Sequence, residues 1–130
     1  MITQFLEELE KLNFPRDKFA IFGSGPLGIR NLRESHDLDI IVKNDLWQEI
    51  VGKYPSKDGR NDAMRIGNVD IFKDWKPWFS DVNELIDSAD VISGFRLVKL
   101  EYVLRWKKFM GREKDKRDIE LITEYLQRNT

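Results

Sequence analysis

Apolar positions change their spacing several times along the chain, and each change marks a new element. Phe5, Leu6, Leu9 and Leu12 recur at helical spacing, and Asn13-Phe14-Pro15 ends that first helix. Residues 19–22 form a continuous apolar run stopped by Gly23, which reads as a buried strand. Gly23-Ser24-Gly25-Pro26-Leu27-Gly28 is a turn that can open a helix running to about Arg33. Pro26 suits the first helical turn, because its missing N–H would find no partner there anyway. A strand over 37–42 and a helix over about 45–53 follow, the latter carrying Leu46, Trp47 and Ile50. Residues 57–62 read as a loop. Met64-Arg65-Ile66 and Val69-Asp70-Ile71-Phe72 flank Gly67-Asn68, a two-residue hairpin signal. A polar, aromatic stretch over 73–79 leads to a helix near 81–88 and one further strand within 91–97. Two helices, about 99–110 and about 114–128, close the chain and are separated at Gly111. This order predicts an α/β (α+β) fold, a mixed β-sheet flanked by helices and finished by C-terminal helices. Neither a repeat nor a linker interrupts it, so residues 1–130 are expected to form one domain.

Composition narrows the chemistry. At 41% apolar and 35% charged, the 130 residues describe a soluble globular protein. The absence of cysteine removes disulfides, thiolate nucleophiles and cysteine-ligated metal centres. A single histidine, His36, leaves little room for a histidine metal cage or a serine–histidine triad. The first thirteen residues are acidic and amphipathic, unlike a signal peptide, and no apolar run approaches the roughly 18 residues of a membrane span. The expected setting is cytoplasmic, with no membrane partner. Any polar chemistry then rests on Asp, Glu, Lys, Arg and backbone amides.

A formal net charge of −1 hides an asymmetry. Residues 96–117 hold nine basic and three acidic side chains, so this segment carries +6 and the remainder −7. The split suits an acidic site and a basic segment acting together on a polyanion; two solvated helices with salt-bridging faces would look the same.

The candidate chemistry lies between Gly23 and Asp70. Side chains i and i+2 of a strand share a face, so Asp37 and Asp39 project together while Leu38 and Ile40 point away. Two adjacent carboxylates repel unless a cation neutralises them, and clustered carboxylate oxygens are what magnesium prefers. Asp70, between Val69 and Ile71, is a third acid inside an apolar strand. Pairing of its strand beside 37–42 would gather the three into one cluster. Gly23 permits close backbone approach, and the amides of Ser24 and Gly25 at a helix start suit a phosphate.

Phe22-Gly23-Ser24, twelve intervening residues, Asp37-Leu38-Asp39-Ile40 and later Val69-Asp70-Ile71 together resemble the nucleotidyltransferase superfamily typified by DNA polymerase beta. The stretch from Lys107-Lys108 through Arg112, Lys114 and Asp115 to Asp118-Ile119 also looks like the end of small bacterial members, including those of toxin–antitoxin pairs. His36 departs from the pattern, since many members carry Ser or Thr there and here the serine is Ser35.

The resemblance implies a metal-dependent transfer of a nucleoside monophosphate from a nucleoside triphosphate, ATP among them, to a hydroxyl on a small molecule, protein or RNA. Asp37 and Asp39 would hold two Mg2+ ions, with Mn2+ as the alternative. Asp70 would complete the second metal site and help deprotonate the acceptor. Gly23 and Ser24 would bind phosphates, joined by Lys108 and Lys114. A partner protein or a second copy would close so small a cleft. The competing reading is a non-catalytic nucleotide-binding or antitoxin-like partner of the same fold, and a third is an interaction domain with structural acids. His36 is either a base or a polar residue at a strand entrance. Trp75 and Trp78 either stack on a ring or pack, whereas Trp47 and Trp106 are expected in the core. Asp115 and Asp118 are expected to anchor the last helix, with Lys114 and Asp118 close enough to pair.

Overall fold

The computed structural model describes residues 2–75 and 78–129; Lys76 and Pro77, within the expected aromatic stretch, lie outside them. Alternation of large apolar side chains in runs of four or five residues builds the centre of a sheet covered on both faces. Strands β1 (Phe19–Phe22) and β2 (Leu38–Val42) are antiparallel neighbours, and β2 pairs in parallel with β4 (Val69–Phe72). Strand β3 (Ala63–Ile66) completes a hairpin with β4 across Gly67-Asn68. Gly67 has φ +59°, which suits the first central position of a type II′ turn. On the other side β6 (Phe95–Leu97) pairs in parallel with β1 and antiparallel with β5 (Asp90–Ile92). The order of this six-stranded mixed sheet is β3-β4-β2-β1-β6-β5.

Two expectations are corrected. The segment 91–97 is a hairpin, not one strand. Ser93 and Gly94 both take left-handed φ, 54° and 82°, as a type I′ turn requires. The apolar residues on either side of that turn read as one run and disguise it. The helix after Ser24 is a single turn, α2 (Gly25–Gly28), and does not continue to Arg33. A Cβ at Gly28 would lie 2.3 Å from Ser35 Oγ, and Asn31 turns left-handed at φ 60°. The chain folds back on itself there instead of propagating a helix.

The faces of the sheet bury different partners. Ile21, Ile40 and Ile71 point toward α1 (Ile2–Leu12) and α3 (Asn44–Ile50), meeting Phe5, Leu9 and Trp47. Ala20, Phe22 and Ile41 point the other way, toward Leu85 of α4 (Val82–Asp87), Val103 of α5 (Leu100–Met110) and Ile122 of α6 (Lys116–Arg128). Truncating a fully buried residue such as Ile40 to alanine is expected to cost about 2–5 kcal/mol. The apolar stripe of α1 is Phe5 and Leu9, and Asn13 ends it with φ 59°. Helix α4 is capped by Asp81, whose carboxylate accepts from the Glu84 amide at 3.0 Å. Gly111, at φ 60°, ends α5, and a turn at Glu113–Asp115 leads into α6. No helix among the described residues is long and apolar enough to cross a membrane.

Candidate functional site

Strand pairing positions the acids. In the β1–β2 ladder Phe22 faces Asp39, so the chain leaves β1 at Gly23 alongside the start of β2. In the β2–β4 ladder Asp39 faces Asp70 in register. Alternation sends both carboxylates to the face shared by Ile41, Phe22 and the C-terminal helices. Asp37 stands one residue before β2. One carboxylate oxygen from each of Asp37, Asp39 and Asp70 lies within 4.8 Å of the other two. Asp37 and Asp39 are half-buried, whereas Asp70 is 0% exposed.

Gly23 is where this packing needs glycine. Its φ is +68°, and a Cβ would lie 2.6 Å from Asp39 Oδ2. Any other residue would drive that carboxylate away from the backbone. Ser24 is half-buried and makes no side-chain cap to α2; its carbonyl accepts from the Ser35 hydroxyl at 3.3 Å. With α2 only one turn long, phosphate affinity from a helix dipole is small here, and the contribution of this corner is its open backbone.

Charge in the cluster is unbalanced. Lys57 Nζ donates to Asp70 Oδ2 at 2.7 Å. Arg65 Nε stands 3.5 Å from Asp70 Oδ1, too far and too exposed for a strong contact. Asp70 Oδ1 is buried without a hydrogen-bond partner. A buried acceptor left unpaired costs on the order of 1–3 kcal/mol. Burial, followed by the charges of Asp37 and Asp70, pushes the Asp39 carboxyl from 3.8 up to about 7, against the pull of Lys57 and Arg65. Three carboxylates facing two cations, with one oxygen orphaned, match the needs of an added divalent cation.

A cleft of about 560 Å³ joins Gly23, Ser24, Asp37, Asp39 and Lys57 to the α5–α6 junction. Its opposite wall carries Arg33, Lys107, Arg112 and Lys114 together with Asp115 and Asp118, so cations outnumber acids there. Lys107 is buried between Asp115 and Asp118, with Nζ at 3.0 and 3.1 Å from their oxygens. Arg33 holds Asp118 at 2.8 Å and Arg112 holds Asp115 at 2.5 Å. Burial pushes the Asp115 carboxyl up, but the Arg112 and Lys107 hydrogen bonds outweigh it and keep it below the usual range.

The cleft brings together Gly23, Ser24, Asp37, Asp39 and Lys114, with Asp70 directly behind them. It does not include Lys108, which is on the exposed side of α5; the neighbouring Lys107 faces inward, about 100° around the helix. Lys114 is exposed at the rim and makes no ion pair among the described residues; Asp118 pairs with Arg33 and Lys107 instead. His36 is exposed on the rim. Trp47 and Trp75 are buried, whereas Trp106 is half-buried and borders the cleft, a correction to its expected core position.

Sequence reasoning missed Lys57 and Arg65; it weighed Arg33, Lys107 and Arg112 for the phosphates but kept Lys108 and Lys114 in their place. Of the missed pair, Arg65 was legible. A two-residue loop at Gly67-Asn68 sets Ile66 opposite Val69 and therefore Arg65 opposite Asp70. Lys57 sits in an irregular turn with no periodic signal. Arg33 reaches Asp118 across 85 residues of chain, which no local pattern encodes.

No protein-family model, curated protein or solved structure matches this chain. The site therefore stands on its own chemistry. Its acidic wall suits a hard divalent cation, and its basic wall, across the same cleft, suits an anion with several charges.

Proposed function

We propose that the chain is a metal-dependent nucleotidyltransferase that moves a nucleoside monophosphate from a nucleoside triphosphate to a hydroxyl acceptor. The observation that carries this reading is the convergence of Asp37, Asp39 and Asp70 oxygens within 4.8 Å beside Gly23. The buried Asp70 Oδ1 supports the same reading, because it accepts no hydrogen bond and its nearest cation, the exposed Arg65, stands 3.5 Å away.

Asp37, Asp39 and Asp70 would hold Mg2+, or Mn2+ in its place. The bound metal supplies Lewis-acid stabilisation of charge on the entering and leaving oxygens. The backbone at Gly23 and Ser24 binds phosphate oxygens, while Lys114, which makes no ion pair among the described residues, neutralises phosphate charge at the rim. In the reaction the acceptor oxygen forms a bond to the α-phosphorus. The bond from that phosphorus to its bridging oxygen breaks, and pyrophosphate leaves with the electron pair. The acceptor's proton passes to a carboxylate. Asp39 is the candidate for that role, since it borders the cleft and Asp70 does not. Lys57, itself on the cleft wall, holds Asp70 in place through its hydrogen bond to Oδ2.

The deciding experiment incubates the protein with each of the four α-labelled ribonucleoside triphosphates and Mg2+, reading both label transfer and pyrophosphate release. Metal-dependent release with at least one triphosphate, lost in Asp37→Ala and Asp39→Ala, is the expected result. Binding of a triphosphate with no release under any condition would favour the non-catalytic reading. Release that persists in both variants would overturn the site.

A further inference from the structure

Lys57 reaches the carboxylate cluster from outside the strands that carry it. It opens a single turn, residues 57–59, in which Asp58 and Gly59 take left-handed φ of 51° and 73°. The chain just before that turn is fastened to the sheet edge. The Arg65 amide donates to the Pro55 carbonyl at 2.9 Å, and Ser56 bridges Met64 of β3. From this anchored base the Lys57 ammonium donates to Asp70 Oδ2 at 2.7 Å. Among the described residues no other cation hydrogen-bonds a carboxylate of the cluster, since Arg65 Nε stands 3.5 Å from Asp70 Oδ1.

The cleft has two lysines that hold acids, and it holds them differently. Lys107 has a side chain 5% exposed and touches two carboxylates, each of which also has an arginine. Lys57 has a side chain 20% exposed, lines the cleft wall and makes one hydrogen bond. An ammonium is a point charge on a flexible stem, without the planar fork that fixes a guanidinium on a carboxylate by two bonds. Rotation within that stem is enough to take Nζ off Asp70 and into the cleft. The backbone need not move.

Asp70 is shared ground. One of its oxygens lies within 4.8 Å of oxygens from Asp37 and Asp39, a spacing that suits one divalent cation. The ammonium sits on the same carboxylate, which is 0% exposed. A divalent cation and an ammonium on one buried carboxylate repel each other with little screening by water. The doubly charged ion has the stronger claim.

We propose that Lys57 is an exchangeable cation: it competes with the divalent metal for Asp70, and metal entry turns its ammonium off that carboxylate into the cleft. Resting on the nucleotidyltransferase reading, the released ammonium adds positive charge to the wall beside the triphosphate, so the metal and the phosphates strengthen each other's binding.

The test follows Lys57 itself. The full chain, without nucleotide, is acetylated with an N-hydroxysuccinimide ester in the presence and absence of saturating Mn2+, and each lysine is read by mass spectrometry. Mn2+ affinity is measured by electron paramagnetic resonance. Acetylation of Lys57 is expected to rise severalfold with Mn2+, while the exposed Lys108 stays constant. Lys57→Met is expected to bind Mn2+ about tenfold tighter, because the competing charge is gone; Lys57→Arg, which keeps the charge, binds it no tighter than the parent. A lysine with only a structural role would leave Mn2+ affinity unchanged or lower it on replacement. Bound Mn2+ with Lys57 labelling unchanged or reduced would overturn the exchange, and so would weaker Mn2+ binding by a folded Lys57→Met or no saturable Mn2+ binding at all. Where Lys57→Met does not fold, labelling of the parent chain decides. Release of Lys57 by Mn2+ in a protein that frees no pyrophosphate from any triphosphate keeps the exchange and removes the transferase reading. Pyrophosphate release with Lys57 shielded throughout does the reverse.

Discussion

Two groups of buried acids face each other across one cleft, and the protein treats them in opposite ways. Asp115 and Asp118 are each bound by two cations, and Lys107 lies between them, itself nearly sealed from solvent. Asp39 and Asp70 have fewer cations, an oxygen without a partner and a carboxyl held near neutral pKa. Burial is similar for Asp70, Asp115 and Asp118, so burial does not separate the two groups. Pairing does. The first group closes its own charge balance and fastens α5, α6 and the chain after α2 together. The second leaves the balance open, and an open balance in a buried place is costly unless something from outside closes it. This difference is why one group reads as architecture and the other as a binding site.

Removing the central cation is the harshest way to test the closed group. Lys107→Met leaves two buried carboxylates with one arginine each and is expected to lower unfolding free energy by about 3 kcal/mol in urea titrations. A loss under about 1 kcal/mol would mean that the network is not structural. The open group should answer differently. Asp37→Ala and Asp39→Asn are expected to lower nucleotidyl transfer by about a hundredfold or more, with thermal unfolding of the metal-free protein unchanged or slightly raised. A large stability loss in those variants would erase the distinction between the two walls.

The pH response sharpens it. Because the folded protein holds the Asp39 proton more tightly than the unfolded chain, Asp39 contributes stability at low pH that is lost as pH rises from about 4 through about 7. Metal binds the ionised form, so Mg2+ should restore what the rising pH removes. At about a hundredfold excess over its dissociation constant, Mg2+ is expected to add about 2.7 kcal/mol at pH 8 and much less at pH 5, as read by thermal shift. Asp39→Asn should flatten both trends, while Asp115→Asn should leave the Mg2+ increment in place. The mildest comparison is on the basic wall itself. Lys114→Ala is expected to weaken triphosphate binding severalfold, about 1 kcal/mol or less, and Lys108→Ala to leave it unchanged.

Much of this was open to a reader of the sequence. The strands at 19–22, 38–42 and 69–72, the hairpin at Gly67-Asn68 and the last two helices follow from local periodicity and turn chemistry, and so does the placing of Asp37 and Asp39 on one face. Local signals failed where the chain turns without breaking its apolar run, as at Ser93-Gly94, or where a distant side chain limits a helix, as Ser35 does at Gly28. One further signal was legible and passed over: Lys107 follows Leu100 by seven and Val103 by four, a spacing that puts it on the buried face of α5 and leaves Lys108 exposed.

What the sequence determined alone is the supply of parts: three acids in apolar strands, a glycine before a serine, and a basic segment over residues 96–117. Tertiary structure decided their meeting. Parallel pairing of β2 with β4 joins Asp39 to Asp70 across 31 positions of chain, and folding of α5 and α6 over the same face sets a basic wall opposite. The physical reason is that periodicity governs which way a side chain points, whereas pairing partner and register depend on contacts between segments far apart in the chain.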